Sequence, residues 1–216
     1  QTEDKDWINN WKQYFHQFYI DDILVIPSWE NIKPEDTDKM VLHIDPGTAF
    51  GTGMHETTQL CIRQLRKFIT PETELLDVGT GSGILAILSL MFGAKHAVGT
   101  DLDICAVEAV AQNCEVNGID PAQFDMMIGN IITEKEVQDK VGYECYDIVV
   151  ANILADVLVP LTPVIVHQLK KGGIYITSGI IDDKEQTVVE AVKAAGLEVL
   201  EVTYQGEWVS VTARKN

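Results

Sequence analysis

Short runs of Leu, Ile and Val alternate along this chain with stretches in which apolar residues recur every three or four positions. The first rhythm is that of a strand buried on both faces, the second that of a helix with one apolar side. Strands are predicted over residues 41–44, 75–78, 97–100, 124–128, 147–152 and 174–178. Helices are predicted over 57–68, 84–91, 104–117, 153–169 and 183–195, with Pro160 and Pro163 expected to kink the fourth. Asn117-Gly118 and Gly196 read as helix stops. Residues 131–145 read as a polar surface excursion, and Lys170-Lys171-Gly172-Gly173 as a turn. Two last strands, 197–203 and 208–212, read as an antiparallel hairpin. Strands alternating with helices predict a doubly wound α/β fold built on a mostly parallel sheet.

The N-terminal part differs in rhythm. Over residues 6–19, Trp7, Trp11, Phe15 and Phe18 are spaced by four, four and three, which predicts one face of an amphipathic helix packed on the main body. A short strand over 23–26 stops at Pro27, and 31–39 reads as a surface loop. The expected organisation is a linker helix and N-terminal extension over 1–40 and one catalytic domain over 41–216.

Composition narrows the class. Hydrophobic residues at 46% and charged residues at 23% are those of an ordinary globular protein. The most apolar stretch, 83–94, is too short to cross a bilayer, and no signal-peptide pattern opens the chain. Cys61, Cys105, Cys114 and Cys145 form no C-x-x-C pair, so reduced thiols in the cytoplasm are expected and a metal site is not. A net charge of −17 repels phosphate backbones and attracts a basic protein partner.

The chemistry gathers around Leu75-Leu76-Asp77-Val78-Gly79-Thr80-Gly81-Ser82-Gly83. A buried strand runs into a glycine turn, where backbone lies bare to a ligand at the start of a helix. Asp101 ends the next strand, 22 residues after Gly79, where a ribose-binding carboxylate belongs in a nucleotide-binding βαβ unit. Gly79, Asp101 and Asn152 all sit at the carboxyl ends of predicted strands, which converge on one crevice. Upstream, Asp45 to Thr58 holds three glycines, four threonines, Phe50 and His55. Phe50 is a candidate for stacking on a flat ligand. His55 is a candidate general base, although a histidine near a helix start more often makes local hydrogen bonds.

The G-x-G-x-G spacing behind Asp77 differs from the G-x-G-x-x-G of dinucleotide sites and resembles the first motif of class I S-adenosylmethionine (SAM) methyltransferases. The chain as a whole resembles the PrmA family, which methylates a large-subunit ribosomal protein. The matching segments are Ile26-Pro27-Ser28-Trp29-Glu30, the stretch from Asp45 to Thr58, the glycine turn through Leu85, Ala151-Asn152-Ile153-Leu154, Ser178-Gly179-Ile180 and Glu207-Trp208. The resemblance implies a Rossmann-like class I SAM-dependent methyltransferase fold with a C-terminal antiparallel hairpin. It implies a SAM-dependent protein N-methyltransferase acting on lysine side-chain and N-terminal α-amino groups. Carried onto this sequence, the cofactor contacts are Thr58, Gly79, Asp101 and Asn152, with Gly81 in the same turn. Thr80 stands where the family usually has cysteine, and a small side chain there leaves the backbone path intact. The family's N-terminal substrate-recognition domain has no counterpart here, which suggests an isolated catalytic domain.

Transfer of a methyl group from a sulfonium to a neutral amine needs positioning and desolvation more than a strong base. In that scheme Asp101 holds the ribose, the glycine turn accommodates the methionine part, and Asn152 accepts a hydrogen bond from the amine. Other acceptors (a protein glutamine, a small molecule or RNA) and a SAM-binding module without turnover are the alternatives. Ile153-Leu154-Ala155 after Asn152 lacks the Pro-Pro-Tyr expected for planar nitrogens, and the acidity disfavours RNA. An NAD-linked dehydrogenase is disfavoured by the glycine spacing.

Overall fold

In the computed structural model, residues 15–45 and 54–216 are described, Met54 and His55 by backbone alone. A seven-stranded sheet forms the frame. In chain order its strands are β4 (Glu74–Val78), β5 (His96–Asp101), β6 (Phe124–Ile128), β7 (Tyr146–Asn152), β8 (Leu169–Ile181), β9 (Leu197–Gln205) and β10 (Trp208–Lys215). Across the sheet they run β6-β5-β4-β7-β8-β10-β9. The first five are parallel, and β10 enters antiparallel between β8 and β9.

Period-two alternation divides the strand residues between two cores. Leu75, Ile148, Val150, Ile174 and Ile176 face one core; Leu76, Val78, Val149, Ala151 and Tyr175 face the other. The first core is closed by helices α1 (Met54–Phe68), α2 (Ile84–Met91) and α3 (Cys105–Val116), the second by α4 (Lys135–Val141), α5 (Ala155–Ile165) and α6 (Glu185–Ala194). Helix α2 is apolar all round because Ile84 to Leu90 are all buried; its one polar side chain, Ser89, donates to the Leu85 carbonyl at 2.7 Å.

A second sheet of three strands, β1 (Phe18–Ile20), β2 (Ile23–Ile26) and β3 (Met40–His43), packs into the first core through Ile20, Ile23, Val25 and Leu42. Asn117, just past α3, ties it down. Its Oδ1 accepts from the His43 amide at 2.8 Å and its Nδ2 donates to the His43 carbonyl at 2.6 Å. The side chain thus extends the ladder like one more strand residue.

Four sequence expectations are corrected. The helix expected over 6–19 is absent from its described part, where Phe18–Ile20 form β1, which pairs antiparallel with β2 from Phe18↔Val25 to Ile20↔Ile23. A tight Asp21-Asp22 turn makes that hairpin, and burial alternates from exposed Tyr19 to buried Ile20. Trp7 and Trp11 lie outside the described residues; Phe15 is buried against Phe18 and Trp29, ring centroids 6.2 Å apart in each pair. The excursion over 131–145 contains α4, whose Val137 and Val141 reach the second core one helical turn apart. Residues 170–173 are a bulge within β8: Tyr146 faces Leu169, but Ile148 already faces Ile174. Helix α5 starts at Ala155 and ends at Ile165, shorter than expected, and keeps both prolines.

Candidate active site

Strand β4 ends at Val78, and the chain turns at once through the glycines. The amides of Gly79 and Thr80 both donate to the Thr100 carbonyl on β5, at 2.8 and 3.0 Å. Gly79 has φ +71°, and a Cβ there would come within 2.8 Å of Ile153 Cγ2. Only glycine passes this point without displacing the loop after β7. The turn is then held by two carboxyl groups. Thr80 Oγ1 donates to Asp77 Oδ2 at 2.8 Å, and the Gly81 amide donates to Asp101 Oδ2 at 2.9 Å. The other oxygen of Asp101, Oδ1, accepts from the Asp103 amide at 2.9 Å. Each oxygen of Asp101 keeps a lone pair for a further donor.

Asp77 is buried, and burial pushes its carboxyl up to about 7. The Thr80 hydroxyl and the Ala86 amide at the start of α2 oppose that rise, and the nearby Asp101 charge adds to it. The Cys61 thiol, buried on α1, is pushed far up by burial and is inert as a nucleophile.

A cleft of about 570 Å³ opens beyond the strand ends. Gly79, Asp101, Leu102, Asn130, Ile153 and Leu154 are among its walls. Leu102 and Leu154 are 72% and 67% exposed, apolar surfaces facing an open cleft. Two carboxylates, Asp101 and Asp156, line it, and among the described residues no Lys or Arg does. That setting favours a ligand carrying positive charge over a polyphosphate.

Of the residues singled out in the sequence, the structure brings Gly79 and Asp101 together in the cleft wall. Gly81 stands behind them as a support for the acid. Asn152 ends β7 next to the wall residue Ile153, and its Nδ2 donates to Thr57 Oγ1 on α1 at 3.3 Å. Thr58 is buried on α1, and its hydroxyl has no hydrogen-bond partner among the described residues. Phe50 and the side chain of His55 lie outside the described residues.

Sequence reasoning missed Leu102, Asn130 and Ile131. Asn130 lies two residues past the end of β6, and the amide of the intervening Gly129 donates to the Asp101 carbonyl at 2.9 Å, which sets Asn130 beside the acid. Its Oδ1 accepts from the Ile132 amide at 3.0 Å, which fixes the carboxamide. The signal was available: Asn130 lies two residues past the carboxyl end of its strand, the end of the sheet at which Asp101 and Asn152 stand on theirs.

A carboxylate at a strand tip, apolar walls and a glycine turn suit a ligand with a ribose, a flat base and a cationic amino-acid end. SAM fits that description. Together with the β6-β5-β4-β7-β8-β10-β9 strand order, the site defines a class I SAM-dependent methyltransferase. The family described as ribosomal protein L11 methyltransferase (PrmA) matches residues 1–216, and the chain belongs to it.

A ribosomal protein L11 methyltransferase from Agathobacter rectalis is 58% identical over 218 residues, covering 100% of this chain and 68% of that protein. One from Lachnospira eligens is 56% identical over 216 residues, with the same coverage. Among solved structures, the ribosomal protein L11 methylase of Lactobacillus delbrueckii subsp. bulgaricus superposes with a TM-score of 0.81 at 29% identity, over 94% of this chain and 100% of that one.

Proposed function

We propose that this chain methylates lysine side-chain and N-terminal α-amino groups of ribosomal protein L11, a large-subunit protein. The observation that carries the amine reading is Asn152. It ends β7 beside the cleft with its amide nitrogen engaged by Thr57, while its oxygen accepts from no described residue. The names of the relatives and the chain's charge of −17, suited to a lysine-bearing partner, support the same reading. A ribosomal-protein substrate supports a cytoplasmic place of work, and no helix among the described residues is long and apolar enough to cross a membrane.

SAM, when bound, supplies a methyl group on a good leaving group. The chain's residues do the rest. Asp101 accepts hydrogen bonds from the ribose hydroxyls, with Gly81 holding the carboxylate in place. Leu102, Ile131 and Leu154 offer apolar walls to the base, and Asn130 keeps Nδ2 for its polar edge. Gly79 lets the methionine part approach backbone, and the Thr58 hydroxyl gains a partner there. Asn152 Oδ1 accepts an N–H of the neutral amine and so directs its lone pair toward the methyl carbon. The amine gives its proton to water, so no strong base is needed. Residues 41–216 form the catalytic unit in this reading, and 1–40 the linker and extension.

Incubating the chain with SAM and purified L11, then mapping methyl groups by peptide mass spectrometry, tests the proposal. Methylated lysine and α-amino nitrogens are expected, and Asn152→Ala should lower the rate at least ten-fold. Methyl groups on glutamine, or on RNA supplied in place of L11, would refute the amine assignment.

A further inference from the structure

The carboxamide of Asn152 has two faces of opposite character, and only one helps an incoming amine. Oδ1 accepts an N–H and leaves the amine lone pair free to attack. Nδ2, facing the same way, would donate to that lone pair and tie up the nucleophile. The side chain must therefore be held one way round.

Two hydrogen bonds and a glycine do this. Thr57 lies in the first turn of α1, buried, and its Oγ1 accepts from Asn152 Nδ2 at 3.3 Å. Thr57 is itself fixed from below: the fully buried Ser178 donates from Oγ to the Thr57 carbonyl at 3.0 Å. Ser178 is also the β8 residue that faces Asn152 across the ladder, so both ends of the arrangement rest on one strand pair. On the other side stands Gly179, with φ +82°. A Cβ there would lie 3.1 Å from Asn152 Oδ1 and 2.8 Å from the Ile153 carbonyl oxygen. The glycine keeps the space beside the oxygen clear.

We infer that Thr57 is a positioning residue for methyl transfer: it engages the Asn152 amide nitrogen, so that the oxygen faces the acceptor amine. The inference rests on the amine-orienting reading of Asn152 given above. Thr57 touches neither cofactor nor acceptor in this account and acts through Asn152.

Thr57→Val keeps the shape of the side chain and removes the acceptor, whereas Thr57→Ser keeps the hydroxyl. Methyl transfer to L11 is followed under single-turnover conditions at saturating SAM for both, for Asn152→Ala, and for the Thr57→Val/Asn152→Ala double variant. SAM affinity is measured by calorimetry alongside. Thr57→Val should slow transfer about five-fold to ten-fold, the scale of one lost orienting hydrogen bond, with SAM affinity and the KM for L11 changed less than about two-fold. Thr57→Ser should recover at least half the rate.

In the Asn152→Ala background the valine should cost nothing more, because there is no amide left to orient. If valine prevents folding, Thr57→Ala reads the same loss. An unchanged rate in Thr57→Val while Asn152→Ala is slow overturns the inference and leaves the role of Asn152 standing. So does a valine loss that persists in full in the Asn152→Ala background. A normal rate in Asn152→Ala overturns the underlying reading instead.

Discussion

Asp101 accepts the Gly81 amide hydrogen at 2.9 Å, across 20 residues of sequence, so the acid at the tip of β5 is tied to the glycine turn after β4. A ligand held by the carboxylate is thereby held against the turn, and the acid is pre-oriented before anything binds.

Replacing Asp101 by Ala removes the proposed ribose acceptor and this support together. SAM affinity should fall roughly a hundred-fold, about 3 kcal/mol, the value of two charge-assisted hydrogen bonds less what water returns. The protein should still unfold cooperatively. Calorimetric titration and thermal melting check both halves, and undiminished affinity would remove Asp101 from the site.

Asp77 makes stability depend on pH. Its carboxyl rises from an ordinary 3.8 to about 7 in the folded protein, so between those values the folded state holds a proton that the unfolded state has released. The stabilisation is complete below about pH 4 and is lost as pH rises through about 7. The ionisable groups that face Asp77 are Asp101 on β5 and the Cys61 thiol on α1. Asp77→Asn should flatten this dependence. The variant should be more stable than the parent above pH 7, by on the order of 2 kcal/mol, with the gap closing toward pH 4. Urea melts across that range decide it; parallel curves would place the titration elsewhere.

Gly79→Ala places a methyl group 2.8 Å from Ile153 Cγ2 on a backbone with positive φ. Stability should drop by about 2 kcal/mol, and SAM binding should weaken at least ten-fold as the turn and the Ile153 loop part. Gly93→Ala is the control: its φ is also positive, but nothing lies within 4 Å of the added carbon. It should lose stability alone. Equal binding losses in the two would show that backbone strain, not the contact with Ile153, is responsible.

Asn117→Ala removes both bonds to the His43 backbone and leaves β3 without its clamp. A loss of about 2 kcal/mol is expected, roughly 5 °C in Tm for a protein of this size, with SAM affinity unchanged. A change in affinity would mean that the small sheet communicates with the cleft.

What the sequence disclosed follows from how local each signal was. Helix α2 is a continuous apolar block bounded by glycines, and its predicted span of 84–91 matches the folded one. The Gly79-to-Asp101 spacing is set by one βαβ unit, so the acid was legible too. Helix α4 was not, because it spends only Val137 and Val141 on the core and is otherwise charged or polar. In β8 a glycine bulge carries the same residues as a turn, and only the pairing with β7 tells them apart. Phe15 and Phe18 fit a helical period, yet the second belongs to a hairpin that Ile20 and Ile23 decide. The Thr57–Asn152 bond joins residues 95 apart, and no local pattern announces it.

The position of β10 sets an order of events during synthesis. Although Trp208–Lys215 follows every other strand of the sheet in chain order, it lies inside the sheet, pairing with β8 on one side and β9 on the other. Until those residues leave the ribosome, β8 ends the sheet with an open edge and β9 has no strand to join. The nucleotide half, β4 to β7, has its partners long before. A nascent chain therefore has the strands that end at the cleft before its far flank can close.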